Sequence, residues 1–374
     1  HPSADAWVLN SLVPAYDLVH DARDEQGRPL WTPATRRAVE RDLILEYAIG
    51  AEPFLGGAGQ IANLSNKSPY VYLPFAQVGH LLGLADFADV ALRGYEALRD
   101  QAFIADGFTR ESPAYTEMFL KNLIRIPEAL DGFRWPAHFP GRSGRIHEYR
   151  SNPKLRLMLR TGLEVLRTNG KYVPLSDTLV IGAPDPAIFE IALHRFPDLF
   201  AGVLPTLYRG QQGYREVNIS VALTREAQDR LLPAAAQPGE YAVFHLRDED
   251  VARDALHLPD VCFPAWMTAL LRQGDALLAL PFNPPGGHRH ADNLALFYAD
   301  RGRILLGERG YVGDSALLAW GASTQSHNLV VVDDADQLPP HAAADAPAVR
   351  QPSLRLMVSA PFAAAVEAES TAYP

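Results

Sequence analysis

Cysteine is nearly absent. Cys262 is the single one in 374 residues, which excludes an internal disulfide framework and a cysteine-rich zinc module. In "DVCFPAW" it reads as a small buried hydrophobe rather than a nucleophile. No apolar run approaches the roughly 18 to 20 residues that a membrane-crossing helix needs. The first residues lack the charged, apolar and small-residue regions of a secretory signal. Positive charge is in deficit, with 34 Lys and Arg against 44 Asp and Glu and a net charge of −10, which argues against general nucleic-acid binding. The rest is ordinary for a globular chain, 48% hydrophobic and 21% charged, and its length favours two domains over one. It opens at His1-Pro2 and ends in "AVEAESTAYP", a strand with its turn, so the expectation is a piece of a longer polypeptide, truncated at the C-terminus.

Charge is unevenly distributed. Residues 132–171 hold nine Lys or Arg against two Glu, a basic island in an acidic chain. It reads either as a solvated helix face with its loop or as the rim of a cleft that attracts a polyanion.

Up to about residue 235 the pattern is helical. Thr32-Pro33, Ser68-Pro69 and Ser112-Pro113 each set a capping hydroxyl before a proline suited to a first helical turn. Amphipathic stretches follow each one. The three starts lie 36 and 44 residues apart, roughly one helical hairpin per step, as in stacked α/α hairpins. Further helical patterns cover 153–168, 186–198 and "TREAQDRLL" at 224–232. From about 238 the texture turns to β, with "EYAVFHLR", "DALLALPF", "NLALFYA", "RILLGE", "NLVVVDD" and "RLMVSAPFAAAVEAE" separated by Gly, Asp, Asn and Pro. "ADRGR" has the look of a hairpin tip. Helices followed by strands imply an α+β chain of segregated layers rather than an alternating sheet. The expected domains are 1–235 and 236–374.

The densest chemistry is in "PFNPPGGHRHADN". His288 and His290 are i and i+2, so on an extended segment both side chains share a face. The preceding glycines leave room for a ligand to approach the backbone. Glu308 and, in "SHNLVVVD", His327 follow on later segments. Two imidazoles and a carboxylate make a plausible divalent-cation site, with zinc first and manganese or calcium as alternatives.

"GGHRHADNLALFYADRGRILLGERGY" followed by "SHNLVVVDD" resembles the sandwich signature of the heparinase II/III-like polysaccharide lyases. "LSNKSPYVYLPFAQVGHLLGLAD" and "DGFTRESPAYTEMFLKNL" resemble that family's helical segments, and "PLSDT" resembles a further loop of it. The resemblance runs over about residues 60 to 335, in the family's order. It implies an incomplete (α/α) toroid followed by an antiparallel β-sandwich, and a carbon–oxygen lyase acting on acidic polysaccharides. Carried over, it makes Asn66, Tyr115 and His288 the catalytic set: Asn66 on the uronate carboxylate, Tyr115 and His288 as base and acid in either order. It makes His290, Glu308 and His327 the ligands of a structural metal. Glu308 stands where Asp is more usual, and Lys67 stands where some relatives have a histidine. Asn63 competes with Asn66 for the amide role, and Glu111 is placed to position Tyr115. With Lys67, Arg110, Arg142 and Arg145, these two complete the expected substrate-contacting set, the loop arginines being suited to carboxylate or sulfate forks.

The chemistry agrees with those residue types. β-Elimination at a 4-linked uronide removes the C5 proton, which is hardly acidic until a donor neutralises the adjacent carboxylate. A phenol is a competent acid for the leaving oxygen, and an imidazole titrates in the range for either role. A glycosaminoglycan is the expected substrate, with alginate as the alternative. A glycoside hydrolase is the rival reading. It would need two carboxylates about 5 to 9.5 Å apart, for which Asp106, Glu111 and Asp177 are candidates, and it leaves the histidines and Tyr115 without a role. The expected partner is the polymer itself, with no nucleic acid and no membrane span. Since such polymers lie outside the cytoplasm, a periplasmic or secreted location is expected.

Overall fold

Capping chemistry sets the helix starts. In the computed structural model, which describes residues 2–51, 64–180, 182–208, 238–252, 256–283, 288–312, 317–337 and 353–370, Thr32 caps helix Pro33–Arg37 by accepting the Thr35 N–H. Ser112 serves helix Pro113–Leu123 likewise, its Oγ accepting the Tyr115 N–H at 3.4 Å. Ser68 differs: it is the first residue of helix Ser68–Leu82 rather than its cap, and Ser65 Oγ accepts the Lys67 N–H instead.

Two compact units result: His1–Phe103 with Met118–Leu155, and Ile104–Glu117 with Arg156–Pro374. The boundary expected near 235 and the helix expected at 224–232 lie outside the described residues.

The first unit is helical. Helices Ser68–Leu82 and Ala85–Gln101 meet at Gly83, whose left-handed φ of 68° ends the first of them. Small residues let this pair pack closely. A Cβ on Gly79 would sit 2.7 Å from the Ala88 nitrogen, and one on Gly94 would sit 2.4 Å from the Tyr72 ring. Leu9, Val13, Tyr16, Ile44, Ala48 and Val78 form a core cluster against helix Pro2–Val19.

The second unit carries the sheets. Strands β1 (Val261–Phe263), β2 (Thr268–Gln273), β3 (Ala276–Pro281), β4 (Phe297–Asp300) and β5 (Arg303–Leu306) form an antiparallel meander in sequence order. The hairpins follow from their turns. Arg301 and Gly302, both at positive φ (48° and 72°), join β4 to β5 as a two-residue connection. β5 is one of the two edge strands and is exposed throughout. A separate hairpin pairs β6 (Ser353–Ala360) with β7 (Ala363–Glu369).

Segment 104–117 is built into this unit. Asp106 Oδ2 accepts the main-chain N–H of Ala265 and Trp266 at 2.6 and 2.7 Å, fixing the β1–β2 connection, in which Met267 takes a φ of 59°. The buried Trp266 ring lies 4.1 Å from Phe108 and donates its indole N–H to the Glu111 carbonyl at 3.0 Å.

Two β expectations are corrected. Within "EYAVFHLR", Glu240–His245 is a helix, because the fully buried Glu190 carboxylate accepts the Gly239 and Ala242 N–H groups and supplies the partners a first turn lacks. "NLVVVDD" holds only an isolated bridge between Val332 and Ala335, its backbone being tied to neighbouring loops.

Candidate functional site

Tyr115 enters the site from the first turn of helix Pro113–Leu123. That helix start is stapled to loop 174–178: Ser112 Oγ donates to the Asp177 carbonyl at 3.0 Å, and Thr178 Oγ1 accepts the Ala114 N–H at 3.1 Å. The same loop meets the histidine segment, since the Asp177 N–H donates to the His288 carbonyl at 3.1 Å. Gly310, at a φ of +61°, passes so near the Thr178 carbonyl that a Cβ there would overlap it at 2.0 Å. Main chain therefore fixes where Tyr115 and His288 meet.

Their rings stack face to face, 3.4 Å between centroids and 8° from parallel. His288 Nδ1 lies 3.0 Å from Asp177 Oδ2, and His290 Nε2 lies 2.9 Å from Asp177 Oδ1. Burial pushes the Asp177 carboxyl up, but the hydrogen bonds and charge of the two imidazoles outweigh it and hold the group below its ordinary value. An ionised carboxylate only accepts, so both imidazoles donate to it. As a neutral ring donating there, His288 would present Nε2 as a lone pair, and His290 would present Nδ1.

Below this lies a buried polar group. His290 Nδ1, Asp292 Oδ1, His327 Nε2 and Glu308 Oε1 are buried with no hydrogen-bond partner. Donor atoms of His290, Asp292 and His327 all lie within 4.8 Å of one another. Glu308 Oε2 accepts from His327 Nδ1 at 2.5 Å, which leaves Nε2 of that ring as its lone pair. Burial raises Glu308, whereas the Glu308 contact and the Asp292 charge raise His327 against the opposing effect of its own burial. Orphaned buried atoms are rare in folded chains, and the three that converge, on His290, Asp292 and His327, fit a cation. Two imidazole nitrogens and a carboxylate oxygen suit a divalent ion. A carboxylate on the far nitrogen of each imidazole is the usual support for such ligands.

Local main chain builds this group. Ala291 donates to the Ala322 carbonyl and Leu296 to the Asn328 carbonyl. Asn293 and Gln337 exchange hydrogen bonds at 2.8 and 2.9 Å. Ser176 Oγ accepts the His290 N–H at 3.4 Å and donates to Asp292 Oδ2 at 3.2 Å.

The structure thus brings together Tyr115, His288, His290 and His327, and two placements differ from the sequence reading. The cation-sized group contains Asp292, and Glu308 sits behind His327. Neither histidine of the pair lies in a strand, yet both reach Asp177. The Pro-Pro-Gly-Gly turn before them and Asn63 lie outside the described residues. Asn66 is buried in the helical unit, just before helix Ser68–Leu82, and Lys67 beside it is exposed. Arg110 is exposed, and Glu111 is half-buried.

Much of the basic island is engaged within the chain. Arg142 forks onto Glu96 at 2.9 and 3.0 Å and reaches Asp89 at 3.0 Å. Arg156 pairs with Asp198 and Arg160 with Glu164. Arg145 is exposed and donates to the Gly132 carbonyl.

Asp177 and Asp292 had other or no roles in the sequence reading. For Asp292 a signal exists: His288, His290 and Asp292 continue one alternation at i, i+2 and i+4. Arg289 carries no such signal. It is half-buried near Asp292, Arg110 and Glu111, and burial pushes its guanidinium down to about 10, still charged at neutral pH.

No family model matches the sequence, and no curated protein does. Solved structures do match in fold. A heparinase III with methylated lysines superposes with a TM-score of 0.63 at 14% identity, over 100% of this chain and 49% of that one. The heparan sulfate lyase HepC from Pedobacter heparinus gives 0.58 at 13%, over 100% and 50%. Another heparinase III gives 0.58 at 13%, over 96% and 50%. The chain spans about half the length of these proteins, and what it shares with them is the fold, a mixed α+β arrangement of helices and antiparallel sheets.

Proposed function

We propose that the chain is a polysaccharide lyase that cleaves a uronate-containing acidic polymer, a glycosaminoglycan first and alginate second, by β-elimination. The observation that carries this reading is the Tyr115–His288 stack with His288 held by Asp177. Likeness in fold to heparinase III and heparan sulfate lyase supports it. The rival hydrolase reading is weakened by its own carboxylates, because Asp106 holds two backbone amides and Asp177 two imidazoles.

His288, protonated at Nδ1 by its bond to Asp177, offers Nε2 to take the C5 proton. Tyr115 then gives its phenolic proton to the departing O4. The carboxylate on C5 must be neutralised as charge develops. The resemblance assigns that task to Asn66, and the cationic Arg110 and Arg289 are further candidates. His290, Asp292 and His327 would hold a divalent ion, zinc first on donor chemistry, supplying positive charge to a buried group. The polymer's own location points to a periplasmic or secreted protein.

The test is incubation with heparan sulfate, chondroitin, hyaluronan and alginate, followed by ultraviolet absorbance and reducing ends. Elimination produces a conjugated unsaturated uronate. Reducing ends without that absorbance would mean hydrolysis and would end the proposal, and so would binding without cleavage.

A further inference from the structure

We infer that Asp177 is a positioning residue that makes the orientation of His288 depend on the cation group. The turnover part of this inference rests on the lyase reading; the structural part does not.

One carboxylate serves two imidazoles with different tasks. Oδ2 takes His288, stacked on Tyr115, and Oδ1 takes His290, whose other nitrogen lies among the orphaned atoms. The main chain that carries the carboxylate has little freedom, so only rotation of the side chain remains. That main chain donates to the His288 carbonyl and accepts from Ser112, and Ser176 before it is held at a φ of 52° by bonds to the His290 N–H and Asp292. The loop therefore touches the Tyr115 helix, both histidines and Asp292.

Tautomers carry the coupling. A cation on His290 Nδ1 obliges that ring to keep its proton on Nε2, where it donates to Asp177. With both oxygens occupied by donors, the carboxylate plane is fixed, and His288 is fixed with it. Without the cation, His290 can place its proton on Nδ1 and turn a lone pair towards Oδ1. That arrangement repels, and the carboxylate must rotate and carry His288 away from its register on Tyr115. No proton need be gained or lost. The ion would thus do more than brace the unit.

The test uses 15N-histidine-labelled protein, with the His288 ring signals assigned through His288→Gln. Chelation of the wild type, followed by return of zinc, is expected to move the His288 signals and restore them. At saturating zinc, Asp177→Asn is expected to stay folded and metal-loaded though it binds the ion more weakly, to lose that response, and to lower kcat by about 10- to 100-fold with KM little changed. Should chelation unfold the chain, the same signals are compared between the wild type and Asp292→Asn, which removes a ligand charge and depletes the metal. His288 signals indifferent to loss of the metal would overturn the coupling, as would Asp177→Asn with full turnover. A wild type that eliminates no uronate polymer sinks the lyase reading alone, because the ring signals still decide the coupling.

Discussion

Asp177 and Glu308 are both carboxylates facing imidazoles, yet their environments drive them apart. Asp177 receives two imidazoles and keeps 12% side-chain exposure, and it is held below the usual carboxylate range. Glu308 receives one, is 1% exposed, and is pushed above that range by burial. Deeper burial and fewer donors raise Glu308, whereas at Asp177 the two imidazoles outweigh the burial. The same division sorts the histidines. His288 is 35% exposed beside Tyr115, and His290 is 4% exposed among atoms without partners. One end of the site is open to solvent, while the other gathers buried atoms that fit a cation.

The largest effect expected lies at the open end. Tyr115→Phe deletes one hydroxyl from a ring that keeps its stacking, so kcat for elimination should fall by roughly 10²- to 10⁴-fold with no change in melting temperature. Near-normal turnover would take the proton-donor role away from Tyr115 and blur the contrast between the two ends.

At the buried end the comparison can be sharpened residue by residue. Asp292→Asn removes a ligand charge and should abolish stoichiometric metal, read by elemental analysis, with a fall in melting temperature. Glu308→Gln keeps an acceptor for His327, so metal should still bind, about 10- to 100-fold more weakly. If Glu308→Gln lost metal as completely as Asp292→Asn, Glu308 would return to the ligand set where the sequence reading placed it.

What was legible from sequence was local. His288 and His290 stand out by spacing, Tyr115 by the family resemblance of its segment, and the β4–β5 hairpin by Arg301-Gly302. Asp177 was not, because its partners lie 111 and 113 residues away and "PLSDT" carries no periodicity. Distance in sequence also hid the helix in "EYAVFHLR", which depends on Glu190 some 50 residues upstream. Asp292 was within reach of the alternation that singled out the histidines.

A smaller effect tests the staple between helix and loop. Ser112 Oγ accepts from Tyr115 and donates to the Asp177 carbonyl, so Ser112→Ala loses a cap and a tether. A loss of about 1 kcal/mol of stability is expected, measured by urea unfolding. Because the same hydroxyl fixes the helix start relative to Asp177, kcat should fall modestly too. A stability loss with full turnover would mean that backbone bonds alone hold Tyr115 to its partner.

The smallest effect concerns the basic island, where Arg142, Arg156 and Arg160 are already matched by carboxylates. Arg142 gives all three of its guanidinium nitrogens to Asp89 and Glu96 and lies over Trp135, 5.8 Å from the ring centroid. A polymer could recruit it only by breaking that fork. Arg142→Lys should therefore cost about 1 kcal/mol or less of stability and leave KM for the uronate polymer where it was, as steady-state kinetics would record. A KM that rises while the melting temperature holds would show that the fork opens to the polymer, and would make the island part of the binding surface.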